Sequence, residues 1–377
     1  MLNFGRDNTS KIAKWWRNVD KQILFSFIFL FLLGLFFSFS STSSVVAEKM
    51  NKETYFFFTK HLFFVFLSLI LLVAISTQDK EKVIKYLPYL FLISIILLFL
   101  IPFFGIEIKG SKRWMDFPYL PRFQPVELVK PLFIVFIAKI IIMNEKNNIY
   151  IRYFYSFLIL FIIAIFLVNQ PDLGQTLLVS SVWVTMIFVS GFNMLILSLL
   201  GFLFLIIIAS LIFIFPEKFG YVLFRIQTFV DPKAGDNFQS EKALDAIKQG
   251  GLTGQGMGEG ILKDKVPEAH TDYIIAVISE EFGALFVLFI VIVFLFIGYK
   301  VLSKVFIEKD EFIKLALVGL VSLLIIQTFI HIGVNARLLP TTGMTLPFLS
   351  YGGSSLIGSS IIAGIILNFT RKDSSRD

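Results

Sequence analysis

Hydrophobic runs of about 20 residues recur along the whole chain and are separated by short polar segments, a length that suits a helix crossing the hydrocarbon core of a bilayer. The pattern predicts an all-α polytopic membrane protein with about ten transmembrane helices. The predicted spans are residues 23–45, 55–76, 86–104, 125–143, 154–169, 175–190, 194–215, 272–299, 313–336 and 350–369. Because no repeat of 20–50 residues is visible, residues 1–377 are interpreted as a single membrane domain.

The composition supports this class. Of the 377 residues, 56% are hydrophobic and 16% are charged, whereas a soluble domain carries about 25% charged residues. So few charges cannot cover a water-facing surface, which excludes a soluble enzyme, a disordered chain and a nucleic-acid-binding domain. The chain has no Cys and only three His. Disulfides, thiolate metal sites and a Cys nucleophile are therefore excluded, and a His-rich metal site is disfavoured.

Lysine and arginine predict the orientation. Most of those in the termini and short loops lie in the N-terminal segment, the C-terminal tail and segments 77–86, 144–153 and 300–312. The short loops on the other side carry fewer. Cytoplasmic segments of membrane proteins are enriched in these residues, so both termini are predicted to be cytoplasmic. The long segment 216–271 then becomes a large periplasmic loop.

Within this loop, SEKALDAIKQGG predicts a short amphipathic helix. Ala243, Leu244 and Ile247 share one face, and Gly250 is the expected C-cap. A glycine-rich stretch, residues 250–260, follows. It lacks the Lys-Ser/Thr ending of a nucleotide-binding loop, so we expect a flexible loop at the membrane surface, with a phosphate cradle as the alternative.

Two clusters of ionisable residues lie at predicted outer ends of spans, where such groups are costly unless they face a cavity or a partner. In residues 110–131, Glu127 and Lys130 are three positions apart and can pair on one helix face. With Arg122 they form either a structural ion pair with interfacial anchors or a cationic site for a phosphorylated substrate. In residues 169–176, Asp172 lies at a helix break and either caps the next helix or lines a cavity.

Two further clusters complete the outer side. In residues 265–283, Asp272 begins a span and could act as a general base. Glu280 and Glu281 lie deeper, and we expect them to hold helices together through polar contacts. Residues 331–355 predict a re-entrant loop whose Ser350, Tyr351, Ser354 and Ser355 serve either packing or a site. Since the polar groups concentrate on the outer side and the inner side carries no nucleotide motif, chemistry is expected at the outer face.

Four ordered motifs resemble those of the SEDS family (shape, elongation, division and sporulation proteins). They are RFQPVELVK at 122–130, QPDLGQ at 170–175, PEAHTDYIIAVISEEFG at 267–283 and LPTTGMTLPFLSYGGSS at 339–355. The last motif looks more like the division branch than the elongation branch. Val126, His331, Arg337 and Thr342 depart from the family pattern, which bears on the branch more than on the family.

The resemblance implies a peptidoglycan glycosyltransferase in the bacterial inner membrane. It would polymerise lipid II, the undecaprenyl-linked disaccharide-peptide, into β-1,4 glycan on the periplasmic side at the division septum. Implied partners are a class B penicillin-binding transpeptidase and other divisome proteins, with no nucleic acid. Asp272 becomes the catalytic base. The implied substrate-binding residues are Arg122, Glu127, Lys130, His270, Thr271 and Ser350, with Lys112, Arg113 and Arg225 as other cations in reach.

Alternatives stay open at this point. A divalent cation, Mg²⁺ or Mn²⁺, could assist the diphosphate, but no ligand cluster in the sequence demands one. A lipid II flippase would also use buried charges and broken helices, although its polar groups should spread across the full membrane depth. An elongation polymerase or a recruiting scaffold are the remaining alternatives.

Overall fold

The computed structural model of the protein describes residues 10–41, 55–108, 110–117, 121–143, 148–214, 216–231 and 238–372. These residues form thirteen α-helices, one two-stranded hairpin and a short 3₁₀ turn at Lys263–Lys265. The helices are α1 Lys11–Asn18, α2 Lys21–Ser41, α3 Phe56–Thr77, α4 Lys80–Phe104, α5 Val126–Met143, α6 Ile149–Asn169, α7 Leu173–Val189, α8 Met194–Ile214, α9 Pro216–Val230, α10 Phe238–Gly250, α11 Ile274–Val305, α12 Glu311–Asn335 and α13 Gly353–Thr370.

The all-α polytopic class is confirmed, because a helix lies at each of the predicted spans. Among the described residues, seven helices are long and apolar enough to cross a membrane: α2, α3, α4, α6, α11, α12 and α13. The other three predicted spans fall on α5, α7 and α8. Helix α5 is less apolar than the seven, because it carries three charged residues, Glu127, Lys130 and Lys139. Helix α7 is shorter than they are, with 17 residues. The count of about ten spans and the cytoplasmic placement of both termini stay predictions.

The core of the bundle lies around α12 and α13. In the apolar stretch of α13, 83% is buried inside the bundle, against 28% in that of α3. Small residues allow this burial: a Cβ atom added to Gly364 would lie 2.9 Å from Cβ of Ile75, and one on Gly353 would lie 2.4 Å from the ring of Phe64. Close helix approach of this kind is the usual role of small residues in membrane bundles. The buried helices thus give the outer site rigid walls.

A β-hairpin that sequence analysis did not predict connects α4 to α5. Strand β1, Gly105–Ile108, pairs antiparallel with β2, Ser111–Met115, with Gly105 opposite Met115 and an irregularity between Ile106 and Glu107. An isolated bridge between Met115 and Phe123 extends the pairing towards α5. The hairpin brings Arg113 of β2 to the break between α6 and α7, at the end of the bundle that is predicted to face outward.

Segment 216–271 is more structured than the predicted loop. It begins with the helix α9, of which Phe219–Val230 is apolar, and it continues with the predicted amphipathic helix as α10. Ala243 and Ala246 of α10 are fully buried in a small cluster with Val277. The expected C-cap is one residue off, because Gly251, with φ of 57°, and not Gly250 adopts the left-handed conformation.

The glycine-rich stretch is not the flexible loop that the sequence suggested. Its amides bond to the start of α11, with Gln255 N donating to Glu280 O over 2.9 Å and Gly256 N to Glu281 O over 3.0 Å. Glycine permits this approach, since a Cβ atom on Gly254 would lie 2.2 Å from Glu281 O. The stretch is therefore held against α11, and α11 itself is interrupted at Gly283, whose φ of 80° and ψ of 172° are not helical.

Candidate active site

Asp272 lies two residues before α11. There, α11 and the end of α12 meet residues 336–352, the segment between α12 and α13 that the sequence predicted to be re-entrant (hereafter the re-entrant segment). Its amide donates to Glu268 O over 3.1 Å, and its side chain is half-buried. The Oδ2 atom lies 3.5 Å from the position that a Cβ atom would take on Gly343. The carboxylate is thus beside the Thr342–Met344 stretch and keeps partial exposure, as a general base that must reach a substrate requires.

The other predicted residues of this motif fix the backbone around Asp272. The amide of Tyr351 donates to His270 O over 2.9 Å, and Ser350 Oγ donates to Thr271 O over 2.7 Å. Ser350 also accepts from Leu346 N over 2.8 Å and is 1% exposed. The structure therefore brings His270, Thr271 and Ser350 together with Asp272, and the hydroxyl of Ser350 is occupied by internal hydrogen bonds.

Glu127 and Lys130 form a buried ion pair, 2.9 Å between Oε1 and Nζ, with side chains 5% and 1% exposed. Lys130 Nζ also donates to Gln327 Oε1 over 3.3 Å, and Gln175 Nε2 donates to Glu127 Oε1 over 3.2 Å. Gln327 Nε2 in turn donates to Thr345 O over 2.9 Å. The pair joins α5, α7, α12 and the re-entrant segment, and a role of either residue in substrate binding stays a prediction.

Arg122 has a different environment from Lys130. Its guanidinium pairs with Asp116 over 3.3 Å, and its side chain is 61% exposed. An exposed pair of this kind contributes roughly 0–1 kcal/mol to stability. Arg122 is therefore available at the surface, whereas Lys130 is buried, so the two cations that sequence reasoning grouped together have separate surroundings.

Arg113 and Arg225, which sequence analysis named only as other cations in reach, are both bonded to backbone carbonyls of neighbouring segments. Arg113 lies at the helix break that contains Asp172. Arg113, on the hairpin, donates through Nε to Gln170 O over 3.0 Å and through Nη2 to Pro171 O. Its Nη1 lies 3.6 Å from Asp172 Oδ2. Arg225, on α9, donates to Thr341 O over 3.1 Å. Thr341 is two residues from Gly343, which borders the Asp272 carboxylate, so Arg225 is anchored to the segment beside the candidate base.

The predicted capping role of Asp172 is confirmed, because its side chain accepts a hydrogen bond from Gln175 N at the start of α7. Burial raises the pKa of this carboxyl, and the positive charge of Arg113 opposes the rise. Gly174 lies against the re-entrant segment, where a Cβ atom on it would approach Thr342 Cβ to 2.8 Å. The break between α6 and α7 therefore forms one wall beside the candidate base.

Glu280 and Glu281 hold elements together, as predicted, although they bind a loop as well as a helix. Glu280 is fully buried and accepts from the amides of Leu262 and Lys263, both over 2.7 Å. Glu281 pairs with Lys263 Nζ and accepts from Ser40 Oγ of α2. These carboxylates fasten the glycine-rich stretch and α2 to α11, so their role is structural.

His331 and Arg337 are two of the positions that depart from the SEDS family pattern. His331 makes a hydrogen bond to the backbone, and Arg337 lies near a carboxylate. His331 Nδ1 lies 2.7 Å from Met344 O and ties the re-entrant segment to α12. Arg337 has a φ of 56° and approaches Glu241 of α10 at 3.8 Å. Both residues connect α12 to neighbouring elements of the outer side.

A divalent cation beside Asp272 stays a prediction. Within the part of the chain that the structure describes, no group of three or more His, Asp or Glu side chains is arranged to hold one. Divalent cations usually need several oxygen ligands from carboxylates, carbonyls or substrate. We therefore derive no step through a divalent cation.

Comparison with known proteins gives consistent matches over nearly the whole chain. The FTSW_RODA_SPOVE family model, described as "Cell cycle protein", matches residues 21–375. A relative from Caulobacter vibrioides named "Probable peptidoglycan glycosyltransferase FtsW" is 33% identical, covering 98% of this chain and 93% of its own. A relative of the same name from Haemophilus influenzae is 31% identical, with coverages of 94% and 91%.

Two solved structures share the fold. One chain comes from a structure on the structural coordination of polymerization and crosslinking by a peptidoglycan synthase complex. It aligns with a TM-score of 0.75 at 23% identity, covering 93% of this chain and 97% of its own. The rod shape determining protein RodA of Thermus thermophilus aligns with a TM-score of 0.69 at 22% identity, with coverages of 94% and 97%.

Proposed function

We propose that this chain, which belongs to the FTSW_RODA_SPOVE family of cell cycle proteins, is a peptidoglycan glycosyltransferase. It polymerises lipid II into β-1,4-linked glycan at the outer face of the bacterial inner membrane during cell division. The names of the full-length relatives support the activity and the division branch. The structural observation that carries the proposal is the half-buried carboxylate of Asp272, held by its backbone between α11, α12 and the re-entrant segment.

In the proposed reaction, Asp272 accepts the proton of the 4-hydroxyl group of the acceptor sugar. The hydroxyl oxygen attacks the anomeric carbon of the growing chain, the bond from that carbon to the diphosphate oxygen breaks, and undecaprenyl diphosphate leaves. Direct displacement inverts the anomeric centre and gives the β-1,4 link. Because the diphosphate is an activated leaving group, this step needs no second carboxylic acid, in contrast to the hydrolysis of an ordinary glycoside.

Cations that stabilise the departing diphosphate are most effective when they are held in place before the reaction. Arg225 and Arg113 meet this condition, because each is anchored to backbone carbonyls of the segments around Asp272. Arg122 is exposed and suits capture of the substrate headgroup at the entrance. Lys130 supports the site through Gln327 and Glu127, and a direct contact with the diphosphate requires its ammonium group to leave this network.

The test is polymerisation of lipid II by the purified full-length protein, read as glycan polymer on a gel. Asp272→Ala should fold and make no polymer, because the acceptor hydroxyl loses its base. Asp79→Asn is the matched control, since Asp79 is an exposed carboxylate between α3 and α4, paired with Lys82, and should polymerise normally. Full polymerisation by folded Asp272→Ala would remove Asp272 from this role.

The same preparation separates the alternatives. Lipid II that crosses a vesicle membrane without forming polymer would identify a flippase instead of a polymerase. We also propose a class B penicillin-binding transpeptidase as partner, because the structural neighbour belongs to a complex that polymerises and crosslinks. Polymer that forms only with the cognate transpeptidase would support a partner-activated enzyme. A fluorescent fusion should concentrate at the septum, and an even distribution along the cell wall would favour the elongation role.

A further inference from the structure

Helix α11 begins two residues after the candidate base, and its first turn also makes a hydrogen bond to another helix. The first four N–H groups of a helix have no acceptor within that helix. Within the described structure, the N-cap residue Tyr273 makes no side-chain hydrogen bond to the turn. Ala276 N donates to Tyr273 O over 3.0 Å and also to Oδ1 of Asn335, the last residue of α12, over 3.2 Å. Asn335 therefore caps α11 from outside.

The nitrogen of the same side-chain amide bonds to the backbone of Asp272. Asn335 Nδ2 donates to Asp272 O over 3.0 Å and to His331 O, one turn earlier in α12, over 2.9 Å. The side chain is fully buried. One amide thus bonds both to the main chain of Asp272 and to the turn of helix that follows it.

This bond completes a set of three. The consecutive carbonyls of residues 270, 271 and 272 accept hydrogen bonds from Tyr351 N, Ser350 Oγ and Asn335 Nδ2, respectively. The first two donors belong to the re-entrant segment and the third belongs to α12. Because the direction of the Asp272 side chain follows from its Cα–Cβ bond, the bond to its own carbonyl is the member of the set that acts closest to the carboxylate.

We propose that Asn335 is a positioning residue that orients Asp272 for proton transfer and contacts no substrate. This inference rests on the proposed function, in which Asp272 is the base. A catalytic group must be held in its productive geometry, and a shift of about 1 Å can reduce the rate by about 100-fold. Loss of Asn335 should therefore slow the chemical step while the substrate still binds.

The chain offers a matched control. Asn368 in α13 is also fully buried, and its Nδ2 donates to the backbone carbonyls of Ile75 and Gln78 over 3.1 and 2.8 Å. It thus joins two helices with the same chemistry as Asn335, but its carbonyl partners lie at the C-terminal end of α3. Asn368→Ala removes a comparable buried amide without touching the segment around Asp272.

The experiment compares Asn335→Ala, Asn335→Asp, Asn368→Ala and Asp272→Asn as full-length proteins, with the cognate transpeptidase where activity needs it. Initial rates of glycan formation at varied lipid II concentration give kcat and KM, and thermal unfolding reports folding. Asn335→Ala should lower kcat by about tenfold or more, as expected for a misplaced catalytic group, and leave KM within about twofold. Asn335→Asp retains an acceptor for Ala276 N but loses the donor to Asp272 O, so its kcat should fall in the same way.

The control variant distinguishes positioning from stability. Asn368→Ala should lower the unfolding temperature while the folded protein keeps its kcat. If Asn335→Ala and Asn335→Asp keep the wild-type kcat while Asp272→Asn is inactive, the positioning role is overturned and the base remains. If Asp272→Asn is itself active, the proposed function fails. If Asn368→Ala loses kcat to the same degree as Asn335→Ala, the effect is one of general stability and the inference is overturned.

Discussion

At the scale of single residues, Lys263 and Glu281 form a buried ion pair away from the candidate base. Their side chains are 6% and 0% exposed. Removing one partner of a buried pair leaves the other charge without compensation and commonly costs about 3–5 kcal/mol. Lys263 lies just after the glycine-rich stretch, and Glu281 also accepts from Gly258 N of that stretch over 3.2 Å, so loss of the pair should loosen this end of the bundle.

We expect Lys263→Met to lower the free energy of unfolding by about 3–5 kcal/mol, measured by denaturation in mild detergent. The double variant Lys263→Met/Glu281→Gln should recover part of the loss, since it removes the uncompensated charge. The matched control is Lys242→Met, because Lys242 forms an ion pair with Asp245 on α10 with side chains 32% and 48% exposed. A loss in Lys263→Met no larger than in Lys242→Met would contradict the prediction.

Asp20, between α1 and α2, gives a pH-dependent prediction. Its Oδ1 caps α2 by accepting from Gln22 N and Ile23 N, and its Oδ2 lies 3.2 Å from Lys304 Nζ. Burial alone would raise the pKa of Asp20, but the hydrogen bond and charge of Lys304, together with the amides of Ile23 and Gln22, outweigh it, and the net pKa lies below the ordinary 3.8. A carboxyl with a lowered folded pKa stabilises the protein above its unfolded pKa, and this contribution disappears as the pH falls through the folded value.

Asp20→Asn keeps a capping oxygen and removes the charge. At pH 7 it should cost about 1 kcal/mol, and the difference from the wild type should shrink as the pH falls below about 4, the ordinary range of a carboxyl. Thermal unfolding across this pH range is the measurement. Asp310→Asn gives the baseline for a capping charge, since Asp310 caps α12 through Phe312 N and Ile313 N. A difference that stays constant from pH 7 to pH 3 would exclude the Lys304 pair as its source.

At the scale of elements, the break in α11 at Gly283 and the glycine-rich stretch pack against each other and share hydrogen bonds. Gly283 adopts a φ of 80°, and a Cβ atom there would lie 2.2 Å from Leu252 O. The next two amides, of Ala284 and Leu285, donate to the carbonyls of Gly251 and Leu252 over 2.9 and 3.2 Å. Interruption of α11 thus releases backbone donors that bind the stretch, in the way that broken helices in membrane proteins satisfy freed backbone groups.

Gly283→Ala should therefore disrupt this junction. A side chain is disfavoured at positive φ, and the obstructing atom is a backbone oxygen that cannot rotate away. We expect a large loss of folded protein in the membrane fraction and a lower unfolding temperature. Gly201→Ala is the control, because a Cβ atom at Gly201, inside α8, meets no atom within 4 Å, so this variant should be neutral. Normal expression and stability of Gly283→Ala would show that the junction tolerates rearrangement.

At the scale of the whole molecule, the polar clusters gather at one end of the bundle and the basic loops at the other. The absence of Cys in the sequence allows the orientation to be tested with single cysteines. Met257 lies on the glycine-rich stretch, and Lys309 lies between α11 and α12; both are exposed. They are predicted to face opposite sides of the membrane.

In intact spheroplasts, a membrane-impermeant maleimide should label Met257→Cys and leave Lys309→Cys unlabelled until the membrane is opened. The ratio of labelling before and after permeabilisation is the measurement. The reverse pattern would place Asp272 on the cytoplasmic side and remove the proposed access to a substrate at the outer face.

The sequence by itself determined the fold class, because the length of an apolar run is set by bilayer thickness and needs no tertiary information. It also placed His270, Thr271 and Asp272 together, since neighbours in one short motif stay close in any fold. Ser350 lies in a different motif and was grouped with them only through the family resemblance. The capping role of Asp172 is likewise local. These features depend on spacing along the chain.

Only the tertiary structure decided which distant groups meet. Arg122 and Lys130 are eight positions apart, yet one is exposed and the other buried, because the chain enters α5 between them. Asn335 bonds to the backbone of Asp272 from α12, and Arg225 of α9 bonds to Thr341 in the segment beside it, although no local pattern relates those helices to Asp272. The glycine-rich stretch looks flexible in sequence but is fixed by carboxylates of α11. Packing of distant segments, and not composition, determines these contacts.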